Sequence, residues 1–366
     1  MSTNHGETIM QKPISEYAKY FKKLLPMNIP ETYAIKPMFN NIASDENIRS
    51  GVIAFRDFLH LFFDRLISEG HLYAKPQKTK NLTSYPFLHH VNHLLIDIGY
   101  HSQLTESGGS LLITEIPSLI APKPKIPASK QMECLRFLEL CGFNFTGIDL
   151  KAKKLNIPEG QLLEVLYPNN PILLTGLRVL SIADIQLRAR RYNNDDHLLR
   201  CDYRLLKAEE TDLLDVLQDF LQPLPKNLQK FALELHQRYI TMGMTCVMIV
   251  DDQYHFAYSY IQNNRRALSE REIYQRRIWE FAISMKHGYI LAVRAKKTDK
   301  YTDVIENLHL SLQEKIAKGY GCDRKRNERC QGGCQGILIP LDESILEIKE
   351  DLKMWLDHEL PQSLKK

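Results

Sequence analysis

The chain has 366 residues, 44% hydrophobic and 25% charged, a composition that supplies an ample core and excludes a fold dependent on disulfide staples. Its 48 basic and 44 acidic residues leave a net charge of +4, too small a surplus to mark a nucleic-acid footprint. No stretch approaches the roughly 18 apolar residues of a membrane span.

The first residues, "MSTNHGETIMQKPISEYAKYF", show no basic start followed by an apolar run, so no secretory signal is read there. The expected compartment is the cytoplasm, where the seven cysteines stay reduced. In "ISEYAKYFKKLL" (14–25), Tyr17, Phe21 and Leu24 recur at helical spacing and predict a short amphipathic helix. Phe55, Leu59, Phe62 and Leu66 predict a stronger helix over 52–69, with Gly70 as its stop.

Four segments then share one order: helix, glycine, strand. They are "FLHHVNHLLIDIGY" (87–100), "QMECLRFLELCGF" (131–143), "LQKFALELHQRYITMGM" (228–244) and "IYQRRIWEFAISMKHGY" (273–289). Gly99, Gly142, Gly243 and Gly288 sit where a helix needs a left-handed residue to stop. The first and third segments lead into hairpins, "HSQLTESGGSLLITEI" and "TCVMIVDDQYHFAYSYI". Matched glycine spacing within the two pairs points to a duplicated helix–hairpin–helix–strand module. "PSLIAPKPKIP" (117–127) and "FLQPLPKN" (220–227) are proline-rich separators. A helix is expected from about Leu173 to Arg191, a strand at "ILIPL", and a closing helix capped by Asp342. The expected fold is α+β: a helical region over 1–84, a first module with a helical extension over 85–226, and a second module over 227–366.

The whole chain, most clearly "GYGCDRKRNERCQGGCQG" (319–336) and "LDHEL", resembles an uncharacterised family of Firmicutes hypothetical proteins, a resemblance that implies no catalytic residue. The layout of 228–296 is similar to small GyrI-like ligand-binding folds in topology alone, without a shared motif.

Four constellations bear on function. His89, His93 and Asp97 follow one another at four-residue steps, as a helical metal site requires. The helical wheel places them, with His90, opposite the stripe Val91, Leu94, Leu95 and Ile98, which predicts a solvated face. In "DDQYHFAYSY" (251–260), Tyr254, Phe256, Tyr258 and Tyr260 share one strand face, and His255, Ala257 and Ser259 the other. Trp279 and Phe281, read as helical, could pack on either. One reading is a tyrosine-rich core. The other is an aromatic-walled pocket for a small planar or cationic ligand, with His255, Glu280 and His287 as its polar groups. For nucleic acid, residues 52–116 can be drawn as a winged helix, but the face at 85–98 offers histidines and Asn92 in place of Arg or Lys.

Cys322, Cys330 and Cys334 stand seven and three residues apart, one ligand short of a structural zinc site. His287, His309 and Cys246 are the candidates for the fourth ligand. A plain glycine-rich loop with free thiols and a redox-active pair remain alternatives, the four nearby basic residues favouring thiolates. No Walker loop, H-E-x-x-H or G-x-S-x-G occurs. The sequence therefore points to a cytoplasmic small-molecule-binding or interaction protein, with an enzyme assembled from distant residues and a DNA-binding regulator as the other readings.

Overall fold

The computed structural model describes residues 14–73, 86–114, 128–155, 157, 160–187, 198–209, 212–250, 254–261, 268–284, 287–295, 298, 301–318 and 336–360. The fold is α+β, with two antiparallel sheets among many helices. The chain divides into two compact units, Met1–Thr211 and Asp212–Lys366. Among the described residues no helix is long and apolar enough to cross a membrane.

The first unit holds α1 (Ile14–Leu24), α2 (Asp45–Tyr73), α3 (Pro86–Tyr100), α4 (Ala128–Leu140) and α5 (Leu173–Gln186). Its sheet comprises β1 (Ser102–Leu104), β2 (Ser110–Ile113), β3 (Asn144–Thr146) and β4 (Leu163–Leu166) in the order β1-β2-β4-β3. The long helix α2 starts earlier than its apolar stripe suggests. Ser44 accepts a hydrogen bond from the Asn47 backbone at 3.2 Å, and Asp45 and Glu46 favour the positive end of the helix dipole. Where α2 crosses α5, Gly51 meets Gly176: a Cβ on Gly51 would stand 2.6 Å from the Gly176 nitrogen. Only a residue without a side chain permits that approach. Ile35 bridges Lys207, and Lys36 Nζ donates to the carbonyls of Leu205 and Lys207 at 2.8 and 2.7 Å.

Helix α3 departs from the expected solvated face. His90, Asn92 and Asp97 are buried, because α3 packs against α4, α5 and the short turn Leu198–Arg200 rather than against one neighbour. His89 and His93 stay half-buried, with ring centres 4.3 Å apart. Gly99 lies inside α3 and does not end it. A Cβ there would press on Ser181 and on the Leu177 carbonyl of α5, at 2.8 Å from the latter. Gly142 and Gly243 do take positive φ, 106° and 88°, as helix stops.

The second unit opens with α6 (Leu213–Leu221) and α7 (Lys226–Thr241). It continues through β5 (Thr245–Val250), β6 (Tyr254–Ser259), α8 (Glu270–Gln275), β7 (Trp279–Ser284) and β8 (Gly288–Val293). It closes with α9 (Thr302–Glu306), α10 (Leu310–Lys318), β9 (Ile337–Pro340), α11 (Ser344–Glu347) and α12 (Lys349–Glu359). The strands form a continuous meander, β5-β6-β7-β8-β9. One sheet face is roofed by α7 and α12. Phe231, Leu235 and Tyr239 of α7 meet Phe256, Tyr258, Phe281 and Leu291 of the strands, and Leu352 and Trp355 of α12 join the same core. The closing helix is tied down by polar contacts as well. Tyr301 Oη donates to Glu359 Oε1 and accepts from Trp355 Nε1 at 3.2 Å, and Tyr239 Oη donates to Asp357 Oδ1 at 2.9 Å.

Two expectations are corrected here. The helix expected over 273–289 ends at Gln275, and Trp279 and Phe281 belong to strand β7. A reciprocal capping box between Ser269 and Glu272 starts α8 early. After it, "WEFAIS" alternates Trp279, Phe281 and Ile283 with Glu280, Ala282 and Ser284, a period of two rather than 3.6. The matched glycine spacings do not reflect one repeated topology. In the first unit β4 inserts beside β2 and leaves β3 at the edge, whereas in the second β7 follows β6 directly.

Candidate functional site

The pleat of β6 and β7 sorts the residues of the second sheet. Tyr254, Phe256 and Tyr258 alternate with His255, Ala257 and Ser259 along β6. The register pairs His255 with Ala282, Ala257 with Glu280, and Glu280 with Ala292 of β8. His255 and Glu280 are therefore diagonal neighbours on the face turned away from the core helices. Directly opposite Glu280 on this face stand Ala257 and Ala292, Ala282 follows it along β7, and Ile290 lies diagonally on β8.

On that face His255 Nδ1 donates to Glu280 Oε2 at 3.0 Å. Arg277, three residues before Glu280 and just past the end of α8, completes a trio. Its Nε lies 2.9 Å from the same Oε2 in an ion pair. The guanidinium is fixed from two further sides: Nη1 donates to the Tyr274 carbonyl at 2.9 Å, and its carbon sits 3.6 Å from the centre of the Tyr274 ring. The Tyr274 ring also meets His255 edge-on at 5.4 Å. Helix α8 is anchored over β5 and β6 by Ile273 packing on Val247 and Ala257, and by Ser259 Oγ donating to the Ile273 carbonyl at 2.7 Å.

All three side chains are buried, His255 at 8% exposure, Arg277 at 5% and Glu280 at 4%. Burial alone would raise the Glu280 pKa. The His255 imidazole and the Arg277 guanidinium outweigh it and hold the carboxyl below its ordinary value, so it is ionised. Both contacts fall on Oε2, and among the described residues Oε1 accepts no hydrogen bond.

The aromatic residues singled out with these groups lie elsewhere. Tyr258 and Trp279 stack in the core on the opposite sheet face, with ring centres 3.7 Å apart and planes 9° from parallel. Tyr258 Oη shares a hydrogen bond of 2.8 Å with His236 Nδ1 of α7. Burial pushes the His236 pKa down and the Cys246 thiol up to about 12. Tyr254 is buried near Phe220, Tyr260 follows the end of β6 half-exposed, and the His287 backbone nitrogen donates to Ser284 Oγ at 3.1 Å in the β7–β8 turn. Of the predicted polar groups the fold joins His255 to Glu280. Arg277 and Tyr274 were not foreseen. Their signal was the strand alternation of 279–284, which fixes Glu280 on the His255 face and brings the preceding arginine with it.

Cys322, Cys330 and Cys334 lie outside the described residues. Of the candidate partners, Cys246 is buried beside Tyr258, and exposed His309 bonds Ser311 Oγ through Nδ1 at 2.8 Å. Among the described residues no group of three or more His, Cys, Asp or Glu side chains is placed to hold a metal ion.

Comparison of the chain with protein-family models, with curated proteins and with solved structures finds no match.

Proposed function

We propose that this chain is a cytoplasmic small-molecule-binding protein whose site is the trio His255, Arg277 and Glu280. The observation that carries this reading is the uneven use of the Glu280 carboxylate. It is nearly sealed from water, yet both of its contacts sit on one oxygen. A ligand that donates to Oε1 would gain a charge-assisted hydrogen bond to an ionised carboxylate. The residues directly opposite the carboxylate on the sheet, Ala257 and Ala292, are small. A strongly fixed ion trio remote from the main core is also what a preorganised site needs, because its groups lose little freedom when a ligand arrives. The buried free thiols Cys134, Cys141, Cys201 and Cys246 suit a reducing compartment.

The test is a thermal-shift screen of a metabolite collection against the full chain and against the triple variant His255→Leu, Arg277→Met, Glu280→Leu. The reading expects at least one compound to raise the melting temperature of the parent and not of the variant. A collection without such a compound, or hits that stabilise both proteins equally, would remove the reading.

A further inference from the structure

We propose that the outer edge of β5 is the surface through which two copies of this chain pair, strand to strand across a two-fold axis. Along the ladder with β6, Thr245, Val247 and Ile249 stand opposite Ser259, Ala257 and His255. The direction of their backbone groups follows from the next strand. The Tyr258 carbonyl accepts from the Ile278 nitrogen at the start of β7, so Tyr254, Phe256 and Tyr258 turn their backbone groups to β7, and His255, Ala257 and Ser259 turn theirs to β5. Thr245, Val247 and Ile249 therefore bond β6, and Cys246, Met248 and Val250 direct both N–H and C=O outward. Among the described residues the backbones of Cys246 and Met248 make no hydrogen bond. Exposure along the strand agrees with an open edge. Cys246, Val247 and Ile249 keep 9%, 8% and 8%, whereas Phe256, Ala257 and Tyr258 of β6 are at 0%.

The other three sheet edges are blunted. Strands β1 and β3 have three residues each. Strand β9 has four and turns Leu338 and Pro340 outward, of which the proline has no N–H to offer. Strand β5 is different: its six residues, "TCVMIV", include no charge, proline or glycine. A row of unpaired amides and carbonyls at strand spacing is matched by another extended chain. The same strand of a second copy fits it in chemistry and in symmetry. An antiparallel pair is unchanged by a two-fold rotation, so the contact closes on itself as a dimer instead of growing into a filament. A register centred on Met248 sets each Met248 against the other, and Cys246 of each copy against Val250 of the other, every pair exchanging both bonds. Between them Val247 meets Ile249, an apolar β-branched pair. Self-pairing of a charged edge would set like against like, and this strand carries no charge to do so. The two five-stranded sheets then continue as one.

The experiment is sedimentation velocity on the full chain from about 1 to about 100 μM, a range that spans micromolar dissociation. The proposal expects the parent to sediment as a dimer at the upper end. Met248→Pro deletes the outward N–H at the two-fold axis and leaves the bonds of Val247 and Ile249 to β6 in place. It should raise the dissociation constant at least about tenfold, with an unchanged far-UV circular dichroism spectrum. Met248→Cys gives a readout that does not depend on tolerance of proline. Facing Cα atoms of a hydrogen-bonded pair stand about 5.5 Å apart, within the reach of a disulfide. Under mild oxidation this variant should give a covalent dimer on non-reducing electrophoresis well above the level of the parent, whose seven cysteines set the background. A parent that stays monomeric at about 100 μM overturns the proposal and leaves the edge to an extended segment of other origin. A dimer that a folded Met248→Pro variant retains undiminished, or a Met248→Cys variant without added cross-link, overturns it too.

Discussion

Tyr258 and Trp279 stack face to face at 3.7 Å in the core of the second unit, with Tyr239 meeting the indole edge-on at 5.4 Å. Both stacked rings are fully buried. Trp279→Ala is expected to destabilise this unit by about 3–5 kcal/mol, the range for deleting a large core aromatic. Tyr258→Phe keeps the ring and removes the hydroxyl bonded to His236, an expected loss of about 1–3 kcal/mol. Urea titration followed by tryptophan fluorescence measures both. A Trp279→Ala protein within about 1 kcal/mol of the parent would show that the stack is not a core element.

The contact of Gly51 with Gly176 predicts a sharp intolerance in the first unit. A methyl group on Gly176 points into the Gly51 carbonyl and backbone, which cannot swing aside as a side chain could. Gly176→Ala should lower stability by about 1–3 kcal/mol despite the higher helix propensity of alanine. Unfolding monitored by far-UV circular dichroism checks it. A stabilised Gly176→Ala variant would mean that α2 and α5 do not cross at this distance.

Acid should act on the second unit in two steps. The His236 pKa is depressed by burial from 6.5, so the unfolded chain takes up a proton before the folded one does. Stability is complete above about 6.5 and falls as the pH drops from there towards the folded value. Glu280 is also depressed, from 4.5, and its contribution is present above that value and lost as the pH falls through the folded pKa. Replacing His236 with Gln should flatten the step below pH 6.5 and leave the lower one. Melting temperatures recorded from pH 8 to pH 3 would reveal the pattern, and a parent protein whose stability rises between pH 6.5 and 5 would contradict it.

The sequence made most elements legible because their periods are clean. The stripe of α2, the hairpin β5–β6 and the helix-stop glycines Gly142 and Gly243 all emerge from local spacing. It misled where one segment satisfied two periods. "IYQRRIWEFAIS" has apolar residues at helical intervals, yet the capping box at Ser269 uses up the helix before Trp279. That shift placed Trp279 and Phe281 with the wrong element and hid Arg277, whose role depends on Glu280 standing on a strand. The burial of His90, Asn92 and Asp97 was illegible for another reason. A wheel finds the apolar face of α3 but not that neighbours cover the polar face too. The pairing of β2 with β4 joins residues fifty or more apart, and no local pattern encodes it.

A binding role for His255, Arg277 and Glu280, as proposed, requires that the trio contribute little to stability. Buried ion pairs are commonly no more stabilising than well-packed apolar groups, and replacing a whole cluster is neutral or favourable by up to about 4 kcal/mol. Removing one member alone is different, since Glu280→Gln leaves the buried Arg277 without its counter-charge. The decisive measurement is therefore the unfolding free energy of the triple variant His255→Leu, Arg277→Met, Glu280→Leu in denaturant. The account predicts a value equal to or above that of the parent, in a protein that no longer responds to ligand. A loss of more than about 2 kcal/mol in the triple variant, outside the neutral-to-favourable range for replacing a whole buried cluster, would make the trio a structural brace and contradict the proposed site.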